Sequence, residues 1–327
     1  MNYRSLGKTH FKVSAISLGT WQVGGVWGSG FDHALADRLL DEAIDLGVNF
    51  IDTADVYEGG QSEEAVGRAL KRHPHVKAAT KCGRQLNPHT SEAYTPQALR
   101  GYVEDSLRRM QVDCLDLIQL HCPPTEVYYR PEIFGLFTDL QREGKIQHLG
   151  VSVEKVEEAI KAIEFENVAS VQIIYNIFRQ RPADTFFQMA AAKNVGVIVR
   201  VPLASGLLSG KFSASTTFGE GDHRHGNRNG EWFDKGETFA GVPYDIGLQA
   251  VERLKAIFPQ HENLAPIALK WILMDTRVST VIPGASRSAH LQSNIKAVDL
   301  PPISRAQLDQ VQGVYQEMIK PHVHQLW

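Results

Sequence analysis

Eight short, nearly continuous apolar segments recur along the chain, and they restrict its fold more than any other feature. Runs of this kind, without strict alternation, are typical of strands buried on both faces of a parallel sheet. Between them lie segments with the apolar spacing of amphipathic helices. Eight strand–helix units in one chain predict an α/β protein, a closed (β/α)8 barrel of the TIM type, with a doubly wound sheet as the alternative. The eight segments read VSAISLG, VNFIDTA, VKAATKCG, LDLIQLH, IQHLGVS, VASVQIIYN, VGVIVRVPL and VSTVIPG.

Several of the helical segments begin with residues that stabilise a helix N-terminus. Thr95 precedes a proline, which is an N-cap followed by proline at the first helical position. Ser62 stands before two glutamates, and Ser304 stands three residues before Gln307, the spacing of a capping box. Two further helical segments follow the last apolar run, and no linker or change of composition divides the chain. We therefore predict one domain over residues 1–327.

The composition argues against several classes of protein. Of 327 residues, 43% are hydrophobic and 22% are charged, which is ordinary for a globular protein with a large core. A net charge of -3 without a basic stripe argues against nucleic acid. No run approaches the roughly 18 apolar residues of a spanning helix, and the start lacks the apolar core of a secretory signal. We therefore expect a cytoplasmic protein that binds neither nucleic acid nor membrane.

No metal site is expected from the cysteine and histidine positions. Cys82, Cys114 and Cys122 lie in strand-like contexts without metal-ligand spacing, so reduced buried thiols are predicted. The one long irregular segment, residues 213–243, is rich in Gly, Asn, Asp and His. Segments of this length in a compact domain are often functional, so it is interpreted either as a lid over a ligand or as a passive surface insertion. Its two histidines, His223 and His225, are expected to be solvated.

Four polar residues of different types stand at or just beyond the ends of successive apolar runs. Asp52 closes the second run, and Tyr57 follows it in a glycine-rich loop. Lys81 closes the third run and His121 closes the fourth. Because the carboxyl ends of barrel strands surround one shared mouth, we expect these four side chains to lie together there.

Taken singly, each of the four has an ordinary structural role, but together they suit proton transfer. A phenol has a pKa near 10, and a nearby ammonium lowers it by stabilising the phenolate. Asp52 can pair with Lys81, and a histidine can orient a carbonyl or share the proton. General acid catalysis of this kind contributes about 10²–10⁴ in rate. Reduction of a carbonyl needs such a proton, provided that another group supplies hydride.

These residues resemble the catalytic tetrad of the aldo-keto reductase superfamily. Asp52 and Tyr57 lie in NFIDTADVYEGGQSEEAVGRAL, Lys81 in AATKCG, and His121 in VDCLDLIQLHCPP. Further similar segments are GTWQVGG, VQIIYN, PLASGLLSGKF and IPGASRSAHLQSNIKAV. The resemblance, to bacterial-type members related to the potassium-channel β-subunit and sugar or aldehyde reductase branches, implies a TIM barrel with a short N-terminal hairpin and extra C-terminal helices. It also implies reduction of aldehydes or ketones with Tyr57 as general acid, or oxidation of sugars or alcohols in reverse.

The same resemblance implies a nicotinamide cofactor bound without a Rossmann fold: NADPH (oxidised form NADP+), with NADH as the alternative. Consistent with this, no G-x-G-x-x-G opens a helix after a strand, and SGLLSGKF is too short for a P-loop. By resemblance, Ser152 and Gln172 hold the carboxamide, and the PLASGLLSGKF loop wraps the pyrophosphate. The full set of implied cofactor positions is Thr20, Trp21, Asp52, Ser152, Gln172, Arg200, Leu203, Ser205, Lys211, Gly284, Ser286, Arg287, His290 and Asn294.

Three positions depart from the pattern of the superfamily. Ser152 is followed by Val153 where many relatives have Asn, which removes one amide contact. Arg200 stands where many relatives carry a Tyr or Trp that stacks on nicotinamide. Because oxidised nicotinamide is positive, we expect Arg200 to disfavour it and to bias the enzyme toward reduction. His290 replaces a more usual Gln or Arg, which leaves the choice between NADPH and NADH open.

Two rival functions are weighed against a reductase of small carbonyl compounds or sugars. One is a cofactor-binding regulatory subunit like the channel-associated members of the superfamily, and the other is a Rossmann-type dehydrogenase, whose glycine fingerprint is missing. Nothing in the sequence indicates an oligomeric state. The terminal HVHQLW is expected to dock on the barrel. The expected substrate-lining residues are Trp21, Val23, Trp27, Tyr57 and His121, with Trp232 or Phe233 from segment 213–243.

Overall fold

Eight parallel strands in consecutive order form the centre of the molecule. The computed structural model describes residues 1–25 and 30–327, so the predicted lining residue Trp27 lies outside the described residues. Isolated bridges from Ile16 to Val281 and from Gly19 to Gly284 join the first strand to the last. The consecutive order and these bridges confirm the predicted (β/α)8 barrel and exclude a doubly wound sheet, whose strand order would reverse. The strands are β3 (Leu18–Gly19), β4 (Phe50–Asp52), β5 (Lys77–Cys82), β6 (Leu115–His121), β7 (Ile146–Ser152), β8 (Val168–Ile174), β9 (Gly196–Arg200) and β10 (Thr280–Val281).

A short antiparallel hairpin closes the amino-terminal end of the barrel. It consists of β1 (Tyr3–Ser5) and β2 (Lys12–Ser14), joined by a 3₁₀ turn. Leu6 and Val13 of the hairpin region join the apolar side chains inside the barrel in one buried cluster. Gly7, with φ of 50°, passes so close to Gly196 that an added Cβ would lie 2.2 Å from its nitrogen. This end is therefore sealed by packing, and polar chemistry is left to the opposite end.

Helices surround the strands, and most of the predicted start signals act as expected. Thr95 accepts a hydrogen bond from the nitrogen of Ala98, and Ser304 and Gln307 form the predicted capping box. Ser62 is not a cap: the helix begins at Gln61, and the serine hydroxyl bonds inward to buried threonines. The helices are α1 (His33–Asp45), α2 (Gln61–Arg72), α3 (Pro96–Met110), α4 (Pro131–Arg142), α5 (Val156–Ala162), α6 (Phe186–Ala192), α7 (His223–Gly226), α8 (Tyr244–Ile257), α9 (Ala265–Leu273), α10 (Ser288–Ile295), α11 (Arg305–Val314) and α12 (Lys320–Val323).

Segment 213–243 is ordered mainly by turns. It contains α7 and two 3₁₀ turns, Lys235–Glu237 and Phe239–Gly241. Phe239, Ala240 and Val242 of the segment belong to a second buried cluster shared with α8, α9 and α11. Among all the residues that the structure describes, no helix combines the length and the apolar character needed to cross a bilayer.

Candidate active site

The barrel brings the four predicted catalytic residues to one place. Asp52 ends β4, His121 ends β6, and Lys81 is the penultimate residue of β5. Tyr57 opens a 3₁₀ turn just beyond β4, in which the backbone at residues 58–60 has positive φ. The carboxyl ends of three adjacent parallel strands therefore present an acid, an amine, an imidazole and a phenol at the barrel mouth.

Lys81 is the centre of this group. Its Nζ donates a short hydrogen bond to the Asp52 carboxylate, and further bonds to the Thr53 carbonyl oxygen at 2.8 Å and the Tyr57 hydroxyl at 3.1 Å. Both Lys81 and Asp52 are buried. Burial lowers the pKa of Lys81, but Asp52 and Tyr57 outweigh this effect and raise it above the ordinary lysine value. The amine is therefore held as an ammonium against the phenol.

The net direction of the Tyr57 pKa differs from the expectation drawn from sequence. Burial raises the pKa of Tyr57 above its ordinary value, and Lys81 lowers it by a smaller amount. Burial is the largest effect, and the charge of Asp52, which shares the ammonium, also disfavours a phenolate. Tyr57 consequently keeps its proton at neutral pH and can donate it. The Lys81 ammonium stabilises the phenolate that is left after the proton is donated.

His121 is neutral and lies beside the phenol. Its ring centroid is 6.0 Å from that of Tyr57, with the two planes nearly perpendicular at 84°. Burial lowers the pKa of His121 well below its ordinary value, and the charges of Lys81, Arg84 and Arg200 add to that effect. Within the described part of the chain, its buried Nδ1 has no hydrogen-bond partner. A neutral imidazole can hydrogen-bond a carbonyl without adding a charge to the site.

Two glutamines complete the shell around Asp52. Oδ2 of Asp52 accepts hydrogen bonds from Gln119 at 2.9 Å and from Gln172 at 2.7 Å. Gln172, predicted to hold a carboxamide, thus uses its Nε2 to fix the carboxylate. Gln119 was not predicted, although it is the one uncharged polar side chain within the apolar run LDLIQL. Its pairing opposite Lys81 in the β5–β6 register places it beneath the site.

A second buried acid group lies below the tyrosine turn. Glu63 accepts hydrogen bonds from Thr80 and Arg109, each at 2.5 Å. The Arg109 side chain passes under Gly60, where an added Cβ would lie 2.6 Å from its Cδ. Asp55 is buried, and neither of its carboxylate oxygens has a partner in the described ranges. Burial, reinforced by Glu63, raises the pKa of Asp55 to about 7.

Four residues implied for the cofactor lie on or beside the catalytic strands. Ser152 is in register with His121 on one side and Gln172 on the other, so the three form a row across β6, β7 and β8. Thr20, just after β3, donates from its hydroxyl to the Asp52 carbonyl oxygen at 3.1 Å. The Trp21 ring stacks near Tyr57, with centroids 6.2 Å apart. All of them border the mouth where the tetrad lies.

The residues implied for the adenosine end form a separate basic cluster. Burial lowers the pKa of His290, and the positive charges of Arg287 and Lys211 lower it further. Arg287 donates from Nε to His290 at 2.9 Å, and the Ser286 hydroxyl lies 3.4 Å from the other ring nitrogen. In the part of the chain that is described, neither Lys211 nor Arg287 forms an ion pair with a carboxylate. Asn294 fastens α10 to this site by donating to the Gly284 carbonyl oxygen at 3.3 Å.

Comparison with known proteins decides the family of this chain. Residues 15–316 match the sequence model of the aldo/keto reductase family. The chain belongs to this family. Its members that resemble the chain include the NADH-specific methylglyoxal reductase of Escherichia coli, 26% identical, which covers 90% of this chain and 93% of that protein. A probable voltage-gated potassium channel subunit beta of Arabidopsis thaliana is 28% identical, over 98% of each chain.

A solved structure agrees with the sequence comparison. The holo form of the aldo-keto reductase AKR11C1 from Bacillus halodurans is 28% identical, covers 96% of each chain and superposes with a TM-score of 0.75. The chain is therefore an aldo-keto reductase, an NAD(P)H-dependent oxidoreductase acting on carbonyl groups.

Segment 213–243 forms the second part of the long connection between β9 and α8 in this aldo-keto reductase, and the pyrophosphate turn forms the first part. Ser205, implied for pyrophosphate, has a left-handed backbone with φ of 56°. Its hydroxyl donates to the Glu237 carbonyl oxygen and accepts from the Phe239 nitrogen, both at 3.1 Å. Leu203 accepts backbone bonds that close the same turn. The turn is thus tied to the segment predicted as a lid.

Arg200 of the reductase is buried and ion-paired. Its guanidinium lies 2.9 Å from Glu154 and 3.0 Å from Glu237, and it also contacts Cys122. Cys122, Glu154 and Glu237 present ligand atoms within 4.8 Å of one another, and the guanidinium is their cation. Because the Glu237 carboxylate offsets its charge, the local electrostatics do not favour the repulsion of oxidised nicotinamide expected from sequence. Burial raises the pKa of Glu154 to about 8, although Arg200 opposes that shift.

Segment 213–243 lies over the tryptophan side of the mouth. Ring centroids of His223 and Phe233 lie 5.1 Å and 6.2 Å from that of Trp21. A cavity of about 430 Å³ lies beside them, between this segment and the loops after β5, β6 and β7. The lid interpretation thus has a structural basis, because the segment contacts the ring adjacent to Tyr57. The residues that line the cavity include Arg84, His89, Cys122, Glu154, Trp232 and Phe233.

Proposed function

We propose that this chain is an NADPH-dependent reductase of small aldehydes or ketones in which Tyr57 is the general acid. The observation that carries the proposal is the hydrogen bond of 3.1 Å from the buried Lys81 ammonium to the Tyr57 hydroxyl. Asp52 fixes the same ammonium from the other side. A protonated phenol backed by a cation, at the open end of a barrel, suits delivery of a proton to a developing alkoxide.

Each residue has one task in the proposed reaction. His121, as a neutral imidazole, hydrogen-bonds the carbonyl oxygen and aligns it with the Tyr57 hydroxyl. When bound, reduced nicotinamide would supply the hydride that the carbonyl carbon accepts. As negative charge develops on the oxygen, Tyr57 transfers its proton, and Lys81 stabilises the phenolate that remains. In the reverse direction, oxidation of an alcohol or sugar, the same phenolate is the base.

The residues of the basic cluster fit a phosphorylated dinucleotide. Lys211, Arg287 and His290 converge without a carboxylate partner among the described residues, which suits a phosphate group. We therefore assign NADPH as the preferred cofactor, with NADH as the alternative that the name of the Escherichia coli relative illustrates. Arg287→Ala should weaken NADPH binding about tenfold or more and leave NADH within about twofold, measured by quenching of protein fluorescence. Equal effects on both cofactors would contradict this assignment.

Removal of the Tyr57 hydroxyl tests the catalytic proposal. Tyr57→Phe should bind NADPH with a nearly unchanged Kd and lose about 10²-fold or more of kcat with a panel of aldehydes followed at 340 nm. Tyr129→Phe is the matched control, since Tyr129 is exposed and its ring contacts the Lys161 ammonium. Retention of full turnover by Tyr57→Phe would refute the assignment.

A regulatory subunit that binds cofactor with little turnover is the second candidate. It is favoured by the similarity to a protein named as a channel subunit. The two candidates are separated by turnover of the wild-type protein: tight NADPH binding without oxidation of the cofactor by any carbonyl in the panel would support the regulatory role.

A further inference from the structure

The part of segment 213–243 nearest the mouth is fixed by two side chains from distant parts of the sequence. Arg179, in the loop after β8, is buried. Its guanidinium donates to the Ala240 carbonyl oxygen at 2.9 Å and to that of Gly236 at 3.2 Å. These bonds satisfy two carbonyl groups of adjacent 3₁₀ turns, so the fold of the segment depends on a residue outside it.

The second of these side chains is Trp327. Its indole is buried, and Nε1 donates to the Asp234 carboxylate at 2.8 Å. Its ring also lies against the guanidinium of Arg179, 4.1 Å from the guanidinium carbon to the ring centroid. A cation this close to the face of an indole is attracted to it, most strongly where water is excluded. Trp327 therefore binds both the segment and the arginine that holds the segment.

The fit around this indole is tight. A Cβ added at Gly236 would lie 2.7 Å from the Trp327 ring, and one added at Gly241 would lie 2.6 Å from it. Gly241 also has φ of 79°, where a side chain is strained. The indole thus fills a space that two glycines leave open.

The residues on either side of Asp234 connect this contact to the catalytic mouth. Phe233 packs on Trp21, which stacks near Tyr57. Glu237 pairs with Arg200. Asp234 is covalently adjacent to Phe233 and its Oδ1 also accepts from the Gly236 nitrogen at 2.7 Å. A shift of Asp234 therefore displaces the aromatic wall of the mouth.

We propose that Trp327 is a positioning residue for the reaction. It touches none of Asp52, Tyr57, Lys81 and His121, and acts by holding Asp234 and Arg179 so that segment 213–243 stays closed over the mouth. If only the protein with a closed segment binds the carbonyl substrate, its apparent affinity for the substrate is proportional to the fraction of molecules in which the segment is closed. Loss of Trp327 should therefore raise KM for the carbonyl much more than it lowers kcat. The kinetic part rests on the proposed reductase function.

Two substitutions distinguish the contribution of the indole N–H from that of the indole ring. Trp327→Phe keeps a ring over Arg179 and loses the bond to Asp234, and we expect about a tenfold rise in KM. Trp327→Ala loses both contacts and should raise KM further, with kcat changed less than threefold. Leu326→Ala is the control, because Leu326 is the neighbouring residue and is exposed; it should match wild type.

A second readout does not depend on turnover. Segment 213–243 contains the trypsin sites Arg224, Arg228 and Lys235. Its cleavage under native conditions, located by mass spectrometry, should be as slow in Leu326→Ala as in wild type, faster in Trp327→Phe and fastest in Trp327→Ala. The circular dichroism of all three variants should stay that of wild type. Gly241→Ala should behave as Trp327→Ala, and Gly313→Ala, on an open helix face, should behave as wild type.

The outcomes are decisive in both directions. Wild-type KM and wild-type cleavage in Trp327→Ala would overturn the proposal, as would a fall in kcat at constant KM. If Trp327→Ala fails to fold, Trp327→Phe decides on the same two readouts. If the wild-type protein has no reductase turnover, the proposed function fails, while faster cleavage in the Trp327 variants would still support the clamp.

Discussion

Removal of the buried ammonium gives the sharpest test of how the site is built. Lys81→Met leaves the Asp52 carboxylate in the barrel with Gln119 and Gln172 as its remaining side-chain donors. Both members of the Lys81–Asp52 pair are almost fully buried, with side-chain exposures of 1% and 3%. Breaking a buried pair by removing one partner costs about 3–5 kcal/mol in the free energy of unfolding, because a charge is left without compensation. Turnover should fall about 10²–10⁴-fold as well.

The double variant Asp52→Asn/Lys81→Met separates stability from catalysis. Its amide oxygen can still accept from Gln119 and Gln172, and no charge remains, so most of the lost stability should return while turnover stays low. Urea unfolding followed by circular dichroism measures the first quantity and NADPH oxidation at 340 nm the second. Lys77→Met is the control on the same strand: its partly exposed pair with Asp116 should be worth less than about 1 kcal/mol. The reasoning is wrong if the double variant is no more stable than Lys81→Met.

Three other predictions concern residues around the tetrad. Gln119→Leu removes a donor to the Asp52 carboxylate, so it should lower the free energy of unfolding by about 1–3 kcal/mol and lower kcat more than it raises KM. An unchanged kcat would show that the carboxylate needs no such support. Burial lowers the pKa of His223 from 6.5 to about 4. Between these two pH values the imidazole is therefore neutral in the folded protein and protonated in the unfolded chain. As pH falls from 6.5 to 4, wild type should therefore lose about 3 kcal/mol more of its free energy of unfolding than His223→Gln loses, measured by urea unfolding of both proteins at several pH values. Because the Glu237 carboxylate offsets Arg200, Arg200→Tyr should change the NADP+/NADPH ratio of dissociation constants less than about threefold. A tenfold change would restore the repulsion expected from sequence.

The barrel could be predicted because its signal is local and repeated. Each strand is a continuous apolar run, and eight of them with helices between have few alternative folds. The same topology predicted that Asp52, Lys81 and His121 would meet, since strand ends of a barrel share one mouth. Sequence position and fold class together were sufficient for this part of the site.

The remaining features depend on contacts between residues distant in sequence. Nothing near Arg200 in sequence indicates its pairing with Glu237, and nothing near Trp327 indicates its bond to Asp234, 93 residues away. The net direction of the Tyr57 pKa depends on burial, which a sequence does not measure. Gln119 could have been found, because a polar side chain within an apolar strand of a barrel needs a polar partner inside.

The hairpin that seals the amino-terminal end has a practical consequence for redesign. Its buried side chains, Leu6 and Val13, contact the far side of the barrel interior from Tyr57 and the rim. Substitutions there that improve packing should raise heat resistance without touching turnover, whereas stabilising changes at the rim put substrate preference at risk. The two ends of the cylinder can therefore be optimised in separate libraries, one screened for survival after heating and the other for carbonyl scope.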